Sequence, residues 1–187
     1  GPKLLHEFTE TKDNLFFITG PDKDEFLSLV KPRLKEKNLY VFISKSFSTD
    51  EVLLSHSWLS KSIVKKNLFA ITANKIKAIE LGFVEKNIIV FPESVGGRYS
   101  IWSQVNSPVL LPNESRNFLK GAASIDENVQ IESTLKSALK NIVFNDIWSH
   151  NFMDKKNRVI LSYNWKLRSI TNYLQQLEME SLGKPNN

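Results

Sequence analysis

Short apolar runs punctuate the first half of the chain at regular intervals, and each is followed by a polar turn and a segment with helical spacing of its apolar residues. The runs are residues 14–19 (N-L-F-F-I-T), closed by Gly20-Pro21, then 39–43 (L-Y-V-F-I), 68–71 and 87–91 (N-I-I-V-F). None alternates cleanly between apolar and polar, so each predicts a strand buried on both faces. Between them, Phe26, Leu27, Val30 and Leu34 recur at helical spacing behind a cap at Asp22 or Asp24, with Pro32 a local irregularity. Residues 50–64 carry Val52, Leu53, Trp58, Leu59 and Ile63 on a second helix, and a third runs from Asn74 to a stop at Gly82. A short helix over residues 3–10, with Leu4, Leu5 and Phe8, precedes the first run. Alternating strands and helices predict an α/β fold, a parallel sheet flanked by helices.

Beyond residue 107 the pattern changes. Pro108, Pro112 and Asn113 make a break, residues 114–122 predict a short helix, and residues 127–149 a longer one with Ile131, Leu135, Leu139, Ile142, Val143 and Ile147 on one face. Residues 158–163 (R-V-I-L-S-Y) predict another strand, and residues 166–181 a last helix with Leu167, Ile170, Leu174 and Leu177 on its stripe. The expected organisation is a first α/β domain over residues 1–106, a helical connector over 107–156, and the incomplete start of a second α/β unit over 157–187.

In parallel sheets, ligands bind at the carboxyl ends of the strands. Two polar loops leave such ends. The loop 44–49 places the hydroxyls of Ser44, Ser46, Ser48 and Thr49 between a strand and a helix, where backbone N–H groups and the helix dipole favour a phosphate. The plainer reading is a Ser/Thr-rich turn in which Thr49 caps the helix and Lys45 is solvated. The loop 92–98 ends in Gly96-Gly97-Arg98, where glycines admit close approach of the backbone to a ligand and the arginine offers a permanently charged fork. A Gly-Gly turn with a surface arginine is the alternative. On the last helix, Gln176 and Glu180 stand four residues apart and share a face that Glu178 does not. A carboxylate on a helix is ordinarily a solvated surface group, and spacing alone does not make it a base.

Composition narrows the chemistry. The chain has 187 residues, 41% hydrophobic and 24% charged, which suits a soluble globular protein. It has no cysteine, which excludes disulfides, thiolate metal sites and a cysteine nucleophile. A net charge of +5 favours an anionic partner, but the 25 basic residues are dispersed, which fits a solvated, mildly basic surface or a site for a small phosphorylated ligand better than nucleic acid. No run reaches the roughly 20 apolar residues that span a bilayer. The reading is therefore a cytoplasmic protein without membrane or nucleic-acid partners. His6, His56 and His150 lack ligand spacing, so no metal site is expected. Trp58, Trp102, Trp148 and Trp165 form no stacking platform with basic residues, and no nucleotide-binding glycine motif is present.

The segments V-G-G-R-Y-S-I-W-S (residues 95–103) and Y-L-Q-Q-L-E-M-E-S-L-G-K (residues 173–184) together resemble the two signatures of the phosphoglucose isomerase family, and S-K-S-F-S-T (residues 44–49) resembles its phosphate loop. The resemblance runs through essentially the whole chain. It implies a sugar-isomerase (SIS) domain, a Rossmann-like three-layer sandwich. It also implies cofactor-free interconversion of glucose 6-phosphate and fructose 6-phosphate through a cis-enediolate, a step of glycolysis and gluconeogenesis. By the same resemblance, Ser44, Ser46 and Thr49 hold the phosphate with the Lys45 backbone, Gly97 brings its backbone to the sugar, Arg98 stabilises the enediolate, Gln176 touches the substrate and Glu180 is the base. A homodimer is implied on the same ground.

Departures from the family pattern are specific. Leu182 stands where the family usually has asparagine after M-E-S. Members are commonly more than twice as long, and their ring-opening histidine and a late lysine lie past the end of these 187 residues. Gly1-Pro2 is either the end of the family's glycine-rich loop or a remnant of tag removal. The expectation is a truncated member, inactive or nearly so by itself. The competing reading is an SIS module that binds sugar phosphates without turnover, although such a module has no use for a carboxylate at Glu180.

Overall fold

The computed structural model describes residues 1–9, 14–20, 22–34, 37–60, 63–131 and 133–183. At its centre is a parallel sheet of three strands, β1 (Tyr40–Ile43), β2 (Leu68–Thr72) and β3 (Ile88–Val90), in the order β1-β2-β3. Tyr40 pairs with Leu68 through Ile43 with Ile71, and Ala70 with Ile88 through Thr72 with Val90. Helix α1 is Pro2–Thr9, α2 Lys23–Val30, α3 Asp50–Leu59 and α4 Lys75–Glu80. Two long helices, α5 (Pro112–Gln130) and α6 (Thr134–Phe152), follow, and α7 (Ile170–Leu182) ends the described chain. No helix among the described residues is long and apolar enough to cross a membrane.

β2 is buried on both faces, as its continuous apolar run predicts. Leu68 and Ala70 meet Phe26 and Val30 of α2, Leu59 of α3, Ala78 of α4, Phe47 and Phe83 on one side. Ile71 meets Phe91 and Val105 on the other. Asn87 fastens the strand starts together, its side-chain amide donating to the carbonyls of Lys66 (3.0 Å) and Leu68 (2.9 Å). Local signals explain the helix ends. Asp22 is the cap of α2, its carboxylate accepting from the amides of Asp24 (2.8 Å) and Glu25 (2.9 Å). Pro32 tightens the chain after α2 into a 3-10 turn, Lys31–Arg33. Gly82 follows α4 at φ +92°, a left-handed conformation that glycine adopts without strain.

Four expectations are corrected. Residues 14–19 form no strand. Leu15 and Phe17 pack beside Leu4 and Leu5 of α1, Ile18 packs toward the sheet core, and the Arg33 guanidinium lies over the Phe16 ring at 3.8 Å. The segment thus alternates as a strand does, yet it joins no backbone ladder, and a ladder partner is what makes a strand. Residues 158–163 also form no strand. They run irregularly over the surface, with Val159, Leu161 and Tyr163 exposed and no strand beside them. The expected break at 123–126 lies inside α5, which runs unbroken to Gln130, and α6 begins at Thr134. Ser133 caps α6, accepting from the Lys136 amide (3.1 Å) and donating to the Asn128 carbonyl (2.7 Å). Finally, α3 ends at Leu59, five residues early, and residues 61 and 62 of that predicted helix lie outside the described set, as does residue 10 of the first.

α7 does not stand apart. Ile170 and Tyr173 pack with Phe118 of α5 onto Leu4, Leu5, Ile101, Val109 and Leu110. Glu7 of α1 pairs with Arg168 just before α7 at 3.4 Å.

His56 on α3 is a packing residue: it is buried against Phe42 (5.6 Å) and Phe83 (5.2 Å), with Nε2 unpartnered. Burial holds its pKa below the ordinary 6.5. The unfolded chain therefore binds the proton more readily than the folded one, and stability falls as pH drops below about 6.5 toward the depressed folded value. In thermal melts between pH 7 and pH 5.5, His56→Phe is expected to show a smaller fall in melting temperature than the wild type.

Candidate functional site

β1 and β3 flank β2, so the two polar loops leave the same edge of the sheet about 10 Å apart, two strand spacings. The end of β2 locks the first of them. The Lys45 carbonyl accepts from the Ala73 amide (3.0 Å) and from the Thr72 hydroxyl (2.9 Å), and that hydroxyl accepts from the Asn74 amide (3.0 Å). Thr72 is fully buried, so these bonds are sheltered from water.

Phe47 shapes the loop. It adopts φ 51°, a left-handed conformation uncommon for a residue with a side chain, while its ring is completely buried 5.4 Å from Phe83. Burial of a phenyl ring contributes roughly 1.5–3 kcal/mol, enough to offset a backbone cost of about 1–3 kcal/mol. With Phe47 turned inward, the flanking hydroxyls lie toward the surface. Ser46 Oγ and Ser48 Oγ are 2.5 Å apart, and Ser44 Oγ, nearly buried, accepts from the Phe47 amide (3.1 Å). Thr49 holds the N-cap position of α3 but makes no side-chain cap bond, so its hydroxyl is not spent on the helix. Asp50 and Glu51 in the first turn of α3 oppose an anion there, and the loop hydroxyls and amides have to outweigh them.

The second loop turns into a 3-10 segment, Gly97–Trp102. Gly96 lies at φ −65°, and a side chain there would meet the Tyr99 ring at 3.2 Å. At Gly97 a Cβ would meet nothing within 4 Å among the described residues, which leaves room there for a ligand. Arg98 projects from this turn to α7. Its Nη1 lies 3.6 Å from Glu180 Oε2, and its Nε donates to Ser181 Oγ at 2.9 Å. Gln176 Nε2 donates to Glu180 Oε1 at 2.8 Å, so the residue four positions back on the helix holds the carboxylate. Tyr173, one turn earlier on that face, donates its hydroxyl to the Arg98 carbonyl at 3.2 Å. Tyr99 OH is 3.3 Å from Ser181 Oγ, and the Arg98 guanidinium lies 5.0 Å from the Tyr99 ring centre. The hydrogen bond with Ser181, then that with Arg98 and its charge, hold the Tyr99 phenol below its ordinary pKa, while burial first and the neighbouring Tyr99 second push Tyr173 up.

Arg98, Glu180 and Gln176 thus form one constellation. Ser44, Lys45, Ser46 and Thr49 form another on the loop that leaves the same sheet edge, and Gly97 immediately precedes Arg98 on the second loop. The constellation is open to solvent: the Glu180 side chain is 45% exposed and that of Arg98 26%. Two clefts of about 220 and 260 Å³ lie elsewhere, one beside Arg158 and Gln175 and the other beside Trp102 and Phe118. Glu178 pairs with Arg158 at 2.6 Å, on a different face from Glu180 as the helical spacing predicts.

Three residues escaped the sequence reading. Tyr173 was legible, because positions 173, 176 and 180 recur at helical spacing. Ser181 lies inside the quoted M-E-S segment, but its contact with Arg98 crosses the chain and has no local signal. Phe47 carries no signal either, since a left-handed turn is expected at Gly, Asn or Asp. Lys184, the last residue of that signature, lies outside the described set.

The phosphoglucose isomerase family model matches residues 1–186. Among curated proteins, a glucose-6-phosphate isomerase of Pseudomonas putida is 32% identical over 200 residues, covering 98% of this chain and 36% of that protein. That of Stutzerimonas stutzeri is 33% identical with the same coverage, and that of Shewanella amazonensis is 32% identical, covering 98% of this chain and 37% of that protein. The chain therefore spans little more than a third of the length of these relatives. Among solved structures, a glucose-6-phosphate isomerase from Chlamydia trachomatis matches with a TM-score of 0.80 at 23% identity, over 98% of this chain and 38% of that one. A hypothetical protein from Thermus thermophilus matches at 0.74 and 24% identity, over 98% and 46%. The structural likenesses show the shared fold.

Tyr173→Phe removes one partly buried hydrogen bond and keeps the ring in its apolar contacts, so it should cost about 0.5–1.5 kcal/mol in denaturant-unfolding experiments. No loss would show that the hydroxyl does not fasten α7 to the Arg98 turn.

Proposed function

The chain belongs to the phosphoglucose isomerase family, and from that premise we propose that it carries the base and the charge-stabilising arginine of an enzyme interconverting glucose 6-phosphate and fructose 6-phosphate. The observation that carries this reading is the meeting of Arg98 and Glu180, at 3.6 Å, across the junction of a strand-end loop and the last helix. A sugar-phosphate-binding module without turnover would need the Ser44–Thr49 loop but not this pair.

In the proposed reaction, Glu180 takes the proton from C2 of the open-chain aldose and returns it to C1 of the cis-enediolate. A proton next to a carbonyl is weakly acidic, so negative charge gathers on oxygen as it leaves. Arg98 is the group whose fixed positive charge answers it. Base catalysis of this kind contributes about 100- to 10,000-fold, and preorganised charge stabilisation is of similar weight. Gln176 steadies the carboxylate and touches the sugar. Gly97 offers its backbone in the open space its missing side chain leaves. Ser44, Ser46 and Thr49, with the Lys45 backbone, hold the phosphate. No cofactor is needed.

The same reading proposes a cytoplasmic setting, a homodimer, and residues 1–106 as a first α/β domain followed by a connector and the opening of a second. Ring opening is assigned to groups the family has outside these 187 residues. The base being almost half exposed supports the view that further walls of the site come from elsewhere.

In a coupled assay of fructose 6-phosphate formation, the purified 187-residue chain is expected to give at most trace turnover, removed by Glu180→Gln. Robust turnover would refute the assignment of ring opening to other groups, and trace turnover that survives the substitution would refute the role of Glu180. Calorimetric titration with a phosphorylated sugar alcohol should show weak, phosphate-dependent binding that Ser46→Ala reduces. Identical binding by both proteins would overturn the loop assignment.

A further inference from the structure

The guanidinium of Arg98 has five N–H donors in one plane, one on Nε and two on each terminal nitrogen. The Nε–H goes to Ser181 Oγ at 2.9 Å. The same hydroxyl lies 3.3 Å from Tyr99 OH, and the Tyr99 ring lies beneath the guanidinium, 5.0 Å from its carbon. The Arg98 backbone is tied to α7 through Tyr173. One end of the arginine is therefore fixed by its main chain and the other by a hydroxyl adjacent to Glu180.

That choice of partner matters for the carboxylate next door. A carboxylate pairs most strongly with an arginine through two parallel bonds, and the side-on form of that pair uses Nε together with a terminal nitrogen. Ser181 occupies Nε, and Glu180 meets only Nη1, at a distance longer than a charge-assisted hydrogen bond. The arginine and the carboxylate are kept near each other without closing onto each other.

We propose that Ser181 is a positioning residue, whose hydroxyl sets the plane of Arg98 and keeps its remaining donors and the Glu180 carboxylate available to the reacting sugar. The proposal rests on the function given above. Ser181 touches no reacting atom and acts through Arg98. Without its hydroxyl, the guanidinium rotates onto Glu180 as a two-bond pair, and both groups are withdrawn from the substrate together. Binding of the phosphate, which belongs to the Ser44–Thr49 loop, is unaffected.

The test combines a spectroscopic and a binding measurement on the chain with Ser181 intact, Ser181→Ala and Ser181→Thr. In nitrogen-proton NMR spectra of the ligand-free chain, the Arg98 Nε–H resonance, assigned by its loss in Arg98→Lys, is expected to be slow to exchange with water. It should be lost in Ser181→Ala and regained in Ser181→Thr. Titration then uses a phosphorylated sugar alcohol, which resembles the ground state, and the hydroxamate of a phosphorylated sugar acid, which mimics the enediolate. Ser181→Ala should weaken hydroxamate binding about tenfold or more, leave the sugar alcohol unchanged, and be rescued by Ser181→Thr. An unaltered resonance in Ser181→Ala overturns the positioning of Arg98 whatever the ligands do. Equal effects on both ligands, or none, overturn the link to the reaction. A wild-type chain that binds neither ligand overturns the proposed function and the reaction part of this proposal, while the resonance still decides whether Ser181 orients the arginine.

Discussion

A strand covered on both faces has no water to fall back on, so every polar group along it and at its ends must find a protein partner. β2 is that strand here. Its two neighbours take its backbone, Asn87 serves its entrance and Thr72 its exit, and the Thr72 hydroxyl reaches across to the Lys45 carbonyl. Satisfying the end of β2 is what brings the Ser44–Thr49 loop to a fixed place beside the start of α4. Because β3 pairs on the other side of the same strand, the turn bearing Arg98 leaves at the same edge.

The other half of the site depends on a different kind of contact. α7 has no fully buried residue, and it reaches the Arg98 turn through Tyr173, Ser181 and Glu180 and the core through Ile170 and Tyr173. An apolar core fixes the Ser44–Thr49 loop to a place in the sheet, whereas hydrogen bonds near solvent fix Glu180 relative to Arg98. Two parts of one site with such different supports respond differently to perturbation: the loop moves only if the sheet unfolds, while α7 can shift at the cost of a few bonds.

What was legible in the sequence follows the same division. A continuous apolar run leaves a local mark, so the runs that became β1, β2 and β3 could be read directly, as could Asp22 as one of two candidate caps and Gly82 as a helix stop. Burial on both faces, expected of all three strands, holds for β2 alone, since Val41, Ile89 and Val90 are exposed on the outer strands. Residues 14–19 and 158–163 carry similar apolar marks but formed no strand, because a ladder requires a neighbour and the neighbour is not written in the run itself. The misplaced break between α5 and α6 has a local cause, a capping serine at Ser133 outweighed in the reading by apolar spacing that ran on through Ile131. At the site, shared spacing on one helix made Gln176 and Glu180 readable as a pair. The contact of Ser181 with Arg98 and the inward turn of Phe47 exist only once distant segments have come together.

The outer side of β1 carries this same logic to the solution behaviour of the protein. Among the described residues no strand pairs there, although Tyr40, Val41, Phe42 and Ile43 all favour strand structure and none is a charge or a proline that would blunt an edge. Such a row of unpaired backbone groups is a template for any extended chain that reaches it. Self-addition at that edge grows with concentration, so the edge bears on how concentrated the chain can be held and not on the temperature at which it unfolds.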